Sequence, residues 1–109
     1  MSLLIKNGTI LTAASEFTGD IYIEGETIRQ IGTNLSVNAS RTIDASGKYV
    51  MPGGVDEHVH YGSFGGRLFE TAEAAAAGGT TTIVADPHEI VNVCGAQAVQ
   101  YLLDATENL

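Results

Sequence analysis

At residues 52–60 the chain reads PGGVDEHVH, and the pattern of the sequence changes at this stretch. The opening Pro-Gly-Gly is typical of a break between structural segments, and the apolar residues that follow indicate a strand. Side chains alternate between the two faces of a strand, so Asp56, His58 and His60 are predicted to share one face, where Asp56 is a candidate to orient a ligand or to support the metal through it. Two neighbouring imidazoles can hold one transition metal. The stretch therefore predicts a metal site, and the plainer alternative is a pair of surface histidines beside a turn.

The segment before this stretch has the pattern of β-hairpins. Asn7-Gly8, residues 24–26 and residues 45–47 are turn-forming sequences between short apolar or β-branched runs. The predicted hairpins pair residues 3–5 with 9–11, 21–23 with 27–31, and 41–44 with 48–51. The polar residues 32–40 are predicted to form a loop. Residues 1–52 are therefore expected to be a small all-β unit.

The segment after residue 52 alternates between strand and helix patterns. We predict strands at residues 55–60 and 80–85, helices at residues 67–77 and 96–105, and a loop of unassigned role at residues 62–66. The β-branched strand at 80–85 lacks polar alternation, which is typical of a strand covered on both faces. Strand, helix, strand, helix is the signature of parallel β/α units. Because a closed β/α barrel needs eight such units, residues 53–109 suffice for two units of an incomplete barrel.

Composition excludes several classes of function. The formal net charge of -8 opposes binding to nucleic acid and to anionic membranes. No apolar run approaches the ~20 residues of a membrane span, and the N-terminus lacks a signal-sequence pattern. The single cysteine, Cys94, cannot form an internal disulfide, so we expect a cytoplasmic protein. We interpret Cys94 as a small buried residue rather than a metal ligand.

A second cluster of polar residues follows the strand predicted at 80–85. Asp86, His88 and Glu89 lie in the run DPHE, at the end of the strand where β/α folds place their active sites. His88 is a candidate for a metal site or a substrate contact, and Glu89 for a proton shuttle. The alternative is that Asp86 only closes a turn, since Asp-Pro is common in turns. We expect Asp86 and His88 to line a pocket rather than to bind metal.

The sequence also carries the motifs of a known family. The runs IKNGTI at residues 5–10, TIDA at residues 42–45 and PGGVDEHVH at residues 52–60 together resemble the amidohydrolase superfamily. The resemblance covers nearly the whole chain. It implies a β-sandwich that flanks a (β/α)8 barrel, with residues 1–52 as one part of the sandwich and residues 53–109 as the first two β/α units. It also implies that His58 and His60 are the first two metal ligands.

Different parts of the chain favour different subfamilies. Residues 50–54 and Phe69-Glu70-Thr71 look like dihydropyrimidinases and hydantoinases, whereas ADPHEIVNV at residues 85–93 closely resembles adenine deaminases. Adenine deaminases usually continue after the histidine pair with Ile-Glu-Ser-Ser, where this chain reads YGSF at residues 61–64. The DPHE run, in turn, is foreign to hydantoinases. The chain is either a divergent relative or a join of two relatives near Gly79.

The resemblance implies a metal-dependent hydrolase that cleaves a C–N bond of a nucleobase or a cyclic ureide. Zinc is the expected metal, with manganese or iron as alternatives, and a homo-oligomer is expected. The family's remaining ligands come from later strands and have no match here, so the isolated chain is expected to be inactive. The alternatives are a non-catalytic metal-binding or scaffold module, and a fragment that completes its site only by assembly with a partner.

Overall fold

The computed structural model describes residues 1–60 and 68–107. The chain divides into two compact units, Met1–Pro52 and Gly53–Leu109. The loop predicted at residues 62–66, the YGSF run and Arg67 of the first predicted helix lie outside the described residues. None of the described helices is long and apolar enough to cross a membrane.

The first unit is a five-stranded mixed sheet. Its strands are β1 (Ser2–Leu11), β2 (Glu16–Glu24), β3 (Thr27–Gly32), β4 (Arg41–Asp44) and β5 (Tyr49–Val50). The order is β3-β2-β1-β4, and β5 also pairs with β1. Strands β1, β2 and β3 are antiparallel neighbours, whereas β4 and β5 run parallel to β1. The long strand β1 therefore organises this unit.

One of the three predicted hairpins is confirmed, and two are wrong. The hairpin of β2 and β3 turns at Gly25, whose φ of 61° is readily adopted by glycine. The hairpin predicted at Asn7-Gly8 is instead one continuous strand, and the register of β1 against β2 shifts between Ile5 and Gly8. Asn7 has a φ of 62°, so its turn propensity produces a bulge rather than a reversal. A continuous β1 can pair along both of its edges, which two three-residue strands cannot do.

The third predicted hairpin fails for a related reason. Strands β4 and β5 do not pair with each other, because each runs parallel to a different part of β1. The link between them follows the edge of β1: Ala45 N donates to Lys6 O at 2.8 Å, and Thr9 N donates to Lys48 O at 2.9 Å. The turn sequence at residues 45–47 thus connects β4, which pairs with β1 before the bulge, to β5, which pairs with β1 after it. Residues 33–40 contain no strand or helix, as predicted.

The core of the first unit combines four apolar residues with one buried charge. Leu4, Ile10, Ile21 and Ala45 are buried, and so is Asp20. The Asp20 carboxylate accepts hydrogen bonds from Asn7 N at 2.9 Å and Leu35 N at 2.8 Å. The bond from Asn7, aided by the bond from Leu35 and by the charge of Lys6, holds the pKa of Asp20 below its ordinary range although burial opposes this. Asp20 therefore ties the bulge to the loop.

The second unit has the predicted strand and helix alternation, with one additional helix. Its elements are β6 (Gly54–Val59), α1 (Leu68–Ala77), β7 (Thr80–Ala85), α2 (His88–Cys94) and α3 (Gln97–Thr106). The two strands pair in parallel, as the sequence predicts. Helix α2 was not predicted, because its seven residues are too few for a clear helical period. It ends at Gly95, whose φ is 68°.

Strand β7 is not covered on both faces within the described residues, contrary to the prediction. Only Thr80 and Ile83 are half-buried, and Val84 is 57% exposed. On the neighbouring strand, Val55 is 61% exposed. A two-stranded sheet supplies one neighbouring strand to each member, so the apolar residues of β6 and β7 lack the packing that a larger sheet provides.

Candidate metal centre

The histidine pair lies at the carboxyl end of β6. His58 is within the strand, and His60 follows its last residue, Val59. Their Nε2 atoms lie 2.9 Å apart, and the rings meet edge to face with centroids separated by 4.7 Å. Two ring nitrogens this close need a shared proton or a cation between them, because two unprotonated nitrogens would present their lone pairs to each other. Both rings are exposed and can receive a ligand from solvent.

A backbone hydrogen bond holds the carboxyl end of β7 beside His58 and His60. Asp86 follows the last residue of β7, and its backbone N–H donates to the carbonyl of Val59 at 2.9 Å. This bond extends the parallel ladder by one step, so that both strands end at the same edge. As a result the Asp86 carboxylate lies within 3.9 Å of His58 Nε2. The parallel pairing therefore joins two motifs that are separate in the sequence.

His88 completes the cluster from the first position of α2. Its Nδ1 lies 3.2 Å from Asp86 Oδ2, and its backbone N–H donates to Asp86 Oδ1 at 3.3 Å. Its ring also meets the ring of His60 edge to face, with centroids 4.7 Å apart. Asp86 thus has both of the roles that the sequence offered as alternatives. Its Oδ1 closes the turn into α2, and its Oδ2 faces the imidazoles.

The imidazoles also lower the pKa of Asp86. Burial by itself would raise the pKa of this carboxyl group. The charge of His88 and its hydrogen bonds, with a smaller contribution from His60, outweigh burial and lower the pKa below its ordinary range. The carboxylate, the form that binds a cation, therefore persists to lower pH than in an ordinary aspartate.

Two groups of potential metal ligands result. His58, His60 and Asp86 form one group, and His60, His88 and Glu89 form the other; within each group the donor atoms lie within 4.8 Å of one another. Imidazole nitrogens with a carboxylate oxygen are the donors that zinc uses in hydrolytic sites, and manganese and iron accept the same set. The described residues thus fit a divalent transition metal.

Two other residues considered from the sequence have different positions. The Asp56 carboxylate accepts a hydrogen bond from the backbone N–H of His58 at 3.2 Å, so it supports the strand beside the histidine ring. Cys94 was predicted to be buried, but it is exposed. It lies on α2, which has no buried residue. Neither group of metal-ligand candidates includes Cys94.

The sequence named His88 as a candidate for a metal site or a substrate contact but did not decide whether it meets the histidine pair. The signal was present in the predicted parallel pairing of the two strands, since parallel strands bring their carboxyl ends to one edge. The sequence pattern did not give the register of β7 against β6. The bond from Asp86 to Val59 defines that register and is visible only in three dimensions.

Comparison with known proteins gives this geometry a family context. No protein-family model matches the chain. An adenine deaminase of Clostridium acetobutylicum is 43% identical over 99% of the chain, and a D-hydantoinase of Geobacillus stearothermophilus is 48% identical over 77% of it. The chain is homologous to the amidohydrolase superfamily. Both subfamilies that the sequence resembles are thus represented among its relatives.

The chain is also similar in fold to solved structures of hydantoinases and dihydropyrimidinases. A crystal structure of a D-hydantoinase matches 96% of the chain with a TM-score of 0.78 and 35% identity. The dihydropyrimidinase of Brevibacillus agri matches 78% of the chain with a TM-score of 0.72 and 42% identity. The chain spans about a fifth of the length of the curated relatives, 19% for both the adenine deaminase and the D-hydantoinase. The match lies in the N-terminal portion of these proteins.

Proposed function

We propose that this chain is the part of a metal-dependent amidohydrolase that carries the first metal ligands, His58 and His60. The reaction is hydrolysis of a C–N bond in a nucleobase or a cyclic ureide. The observation that carries the proposal is the contact between the two Nε2 atoms, 2.9 Å apart at the carboxyl end of β6. Active sites of β/α folds lie at this end of their strands. The 43% identity to an adenine deaminase supports the reaction class.

The proposed architecture follows the longer relatives. Residues 1–52 form one part of a β-sandwich, and residues 53–109 form the first two β/α units of a (β/α)8 barrel. The exposed apolar side chains of Val55 and Val84 support this proposal, because further strands and helices of a barrel would cover them. The chain by itself is then inactive, and the complete enzyme acts on a small molecule, as a homo-oligomer.

The residues of the chain have distinct tasks in this reaction. His58 and His60 hold a divalent metal, zinc in the first instance, with manganese or iron as alternatives. Such a metal acidifies water and so supplies a nucleophile at neutral pH. Glu89, whose carboxylate lies within 4.8 Å of ring nitrogens of His60 and His88, is placed to move protons between water and the leaving nitrogen. Asp86 holds the ring of His88 through its Nδ1.

A pair of chimeric enzymes tests the function and identifies the substrate class. The chain replaces the matching segment of the Clostridium acetobutylicum adenine deaminase in one chimera and of the Geobacillus stearothermophilus D-hydantoinase in the other. We expect ammonia release from adenine by the first or ring opening of hydantoin by the second, and loss of either activity when both His58 and His60 are replaced by alanine. Folded, metal-loaded chimeras without either activity would overturn the catalytic proposal in favour of a non-catalytic metal-binding module.

A further inference from the structure

We propose that Asp86 is a third metal ligand, held in place by His88, so that strands β6 and β7 alone form a metal site. This inference rests on the proposed role of His58 and His60 and extends it to the second strand. It differs from the expectation drawn from the sequence, in which Asp86 and His88 line a pocket. It also means that the chain needs no ligand from elsewhere to take up metal.

The distances between donor atoms fit one coordination sphere. Tetrahedral zinc with bonds of about 2.0–2.2 Å separates its ligand atoms by about 3.4 Å. His58 Nε2 lies 2.9 Å from His60 Nε2 and 3.9 Å from Asp86 Oδ2. These separations lie about 0.5 Å on either side of the tetrahedral value. All three donor atoms lie within 4.8 Å of one another, so small side-chain rotations would bring them to one cation. Such a site would leave a fourth position for water or a substrate atom, as in catalytic zinc sites.

The position of Asp86 is determined by the backbone rather than by a flexible side chain alone. Its N–H is bonded to Val59 O at 2.9 Å, which links it to the strand that carries the histidines. Aspartate has only two side-chain torsions, so this anchor limits the region that its carboxylate can reach. The ligand residues therefore lie in or directly after two paired strands, and rigid elements hold ligands more accurately than loops do.

His88 restrains both carboxylate oxygens of Asp86. Its Nδ1 lies 3.2 Å from Oδ2, and its backbone N–H donates to Oδ1 at 3.3 Å. Ligating carboxylates are characteristically held by such hydrogen bonds, and loss of an outer-shell partner typically costs about 10–100-fold in metal affinity. We assign His88 the role of a positioning residue, which orients the ligand without binding this metal.

Titration of the complete 109-residue chain with Zn²⁺ or Co²⁺ tests the assignment. We expect Asp86→Asn to weaken Zn²⁺ binding by more than 100-fold and to shift the visible absorption bands of bound Co²⁺, because a ligand is lost. His88→Ala should weaken binding by about 10–100-fold and leave the Co²⁺ bands nearly unchanged. His88→Gln, which retains an N–H donor, should recover part of that loss. Asp104→Asn on α3 makes the same change of charge away from the site and serves as the control.

The outcomes separate this inference from the proposed function. If Asp86→Asn binds Zn²⁺ as tightly as Asp104→Asn, while replacement of His58 and His60 abolishes binding, only the role of Asp86 is overturned. If replacement of the two histidines leaves binding unchanged, the proposed function fails with it. Far-UV circular dichroism of each variant establishes that its secondary-structure content is that of the parent, and hydrogen exchange at the Asp86 amide, which is bonded to Val59 O, establishes that β6 and β7 remain paired. A folded Asp86→Asn protein with unchanged Co²⁺ bands contradicts ligation by Asp86.

Discussion

The buried carboxylate of Asp20 accepts a hydrogen bond from the backbone N–H of Asn7 at 2.9 Å, at the bulge of β1. A second bond, from Leu35 N at 2.8 Å, ties the same carboxylate to the segment after β3. One ionised side chain thus holds a strand irregularity and a loop together. Loss of the carboxylate would remove an acceptor from both backbone groups, and leaving part-buried donors without a partner is costly.

The contribution of Asp20 to stability should depend on pH. Hydrogen bonding lowers its pKa in the folded protein, so its stabilising effect is complete above the ordinary aspartate pKa of about 3.9 and is lost as the pH falls through the lower folded-state pKa. We expect Asp20→Asn to lower the urea midpoint at pH 7 and to lose less stability than the parent between about pH 4 and pH 2. Glu26→Gln, at an exposed turn, is the control; equal acid sensitivity of parent and Asp20→Asn would contradict the prediction.

Gly8 should not tolerate a side chain. A Cβ added there would lie 2.5 Å from Val50 Cγ2 and 3.3 Å from Ala45 Cβ, at the point where β5 joins β1. Overpacking of this kind costs about 1–3 kcal/mol, so Gly8→Ala should lower the free energy of unfolding by that amount in urea titrations. Combining it with Val50→Ala should cost less than the sum of the two single changes.

Comparing Gly25→Ala with Gly8→Ala separates two causes of lost stability, backbone strain and steric overlap. Gly25 has a φ of +61° and no atom within 4 Å of an added Cβ. Its replacement should therefore cost about 1–2 kcal/mol through backbone strain alone, and Val50→Ala should not relieve that cost. If Val50→Ala recovered stability in the Gly25→Ala protein but not in the Gly8→Ala protein, the contact between residue 8 and Val50 would be unimportant.

Gly53 is expected to be essential for packing β6 against β7. An added Cβ would collide with the Thr81 side chain, whereas one at Gly54 would lie 3.5 Å from Gly79 O, an ordinary contact. Gly53→Ala should destabilise the second unit by about 1–3 kcal/mol and speed hydrogen exchange at the Gly54 amide, which is bonded to Gly79 O. Gly54→Ala is the matched control, and equal effects of the two variants would refute a role for the Thr81 contact.

Metal uptake by the chain should require the histidine pair. Replacing His58 and His60 by alanine removes two of three donors in one candidate group and one of three in the other. We expect bound zinc, measured by elemental analysis after dialysis, to fall from about one equivalent to none. Cys94→Ser tests the exposed thiol as a competing ligand and should retain zinc. An unchanged zinc content in the double variant would be incompatible with the proposed site.

Local sequence patterns predicted the elements of the second unit well. The strand over Thr80–Ala85 and the parallel pairing with β6 follow from β-branched composition and from strand–helix alternation. The first unit was less predictable, because Asn7-Gly8 has the same turn propensity in a bulge as in a hairpin. Pairing of β1 with β2, β4 and β5, rather than local preference, decided in favour of the bulge.

By itself the sequence determined the likeness to amidohydrolases, the two β/α units and the placement of His58 and His60 on one face, since strand alternation is a local property. Only the tertiary structure decided that Asp86 and His88 meet that pair, and that β4 and β5 lie along β1. These relationships depend on the register between strands and on competition for hydrogen-bonding edges. Both are settled by contacts between distant parts of the chain, which local preference does not encode.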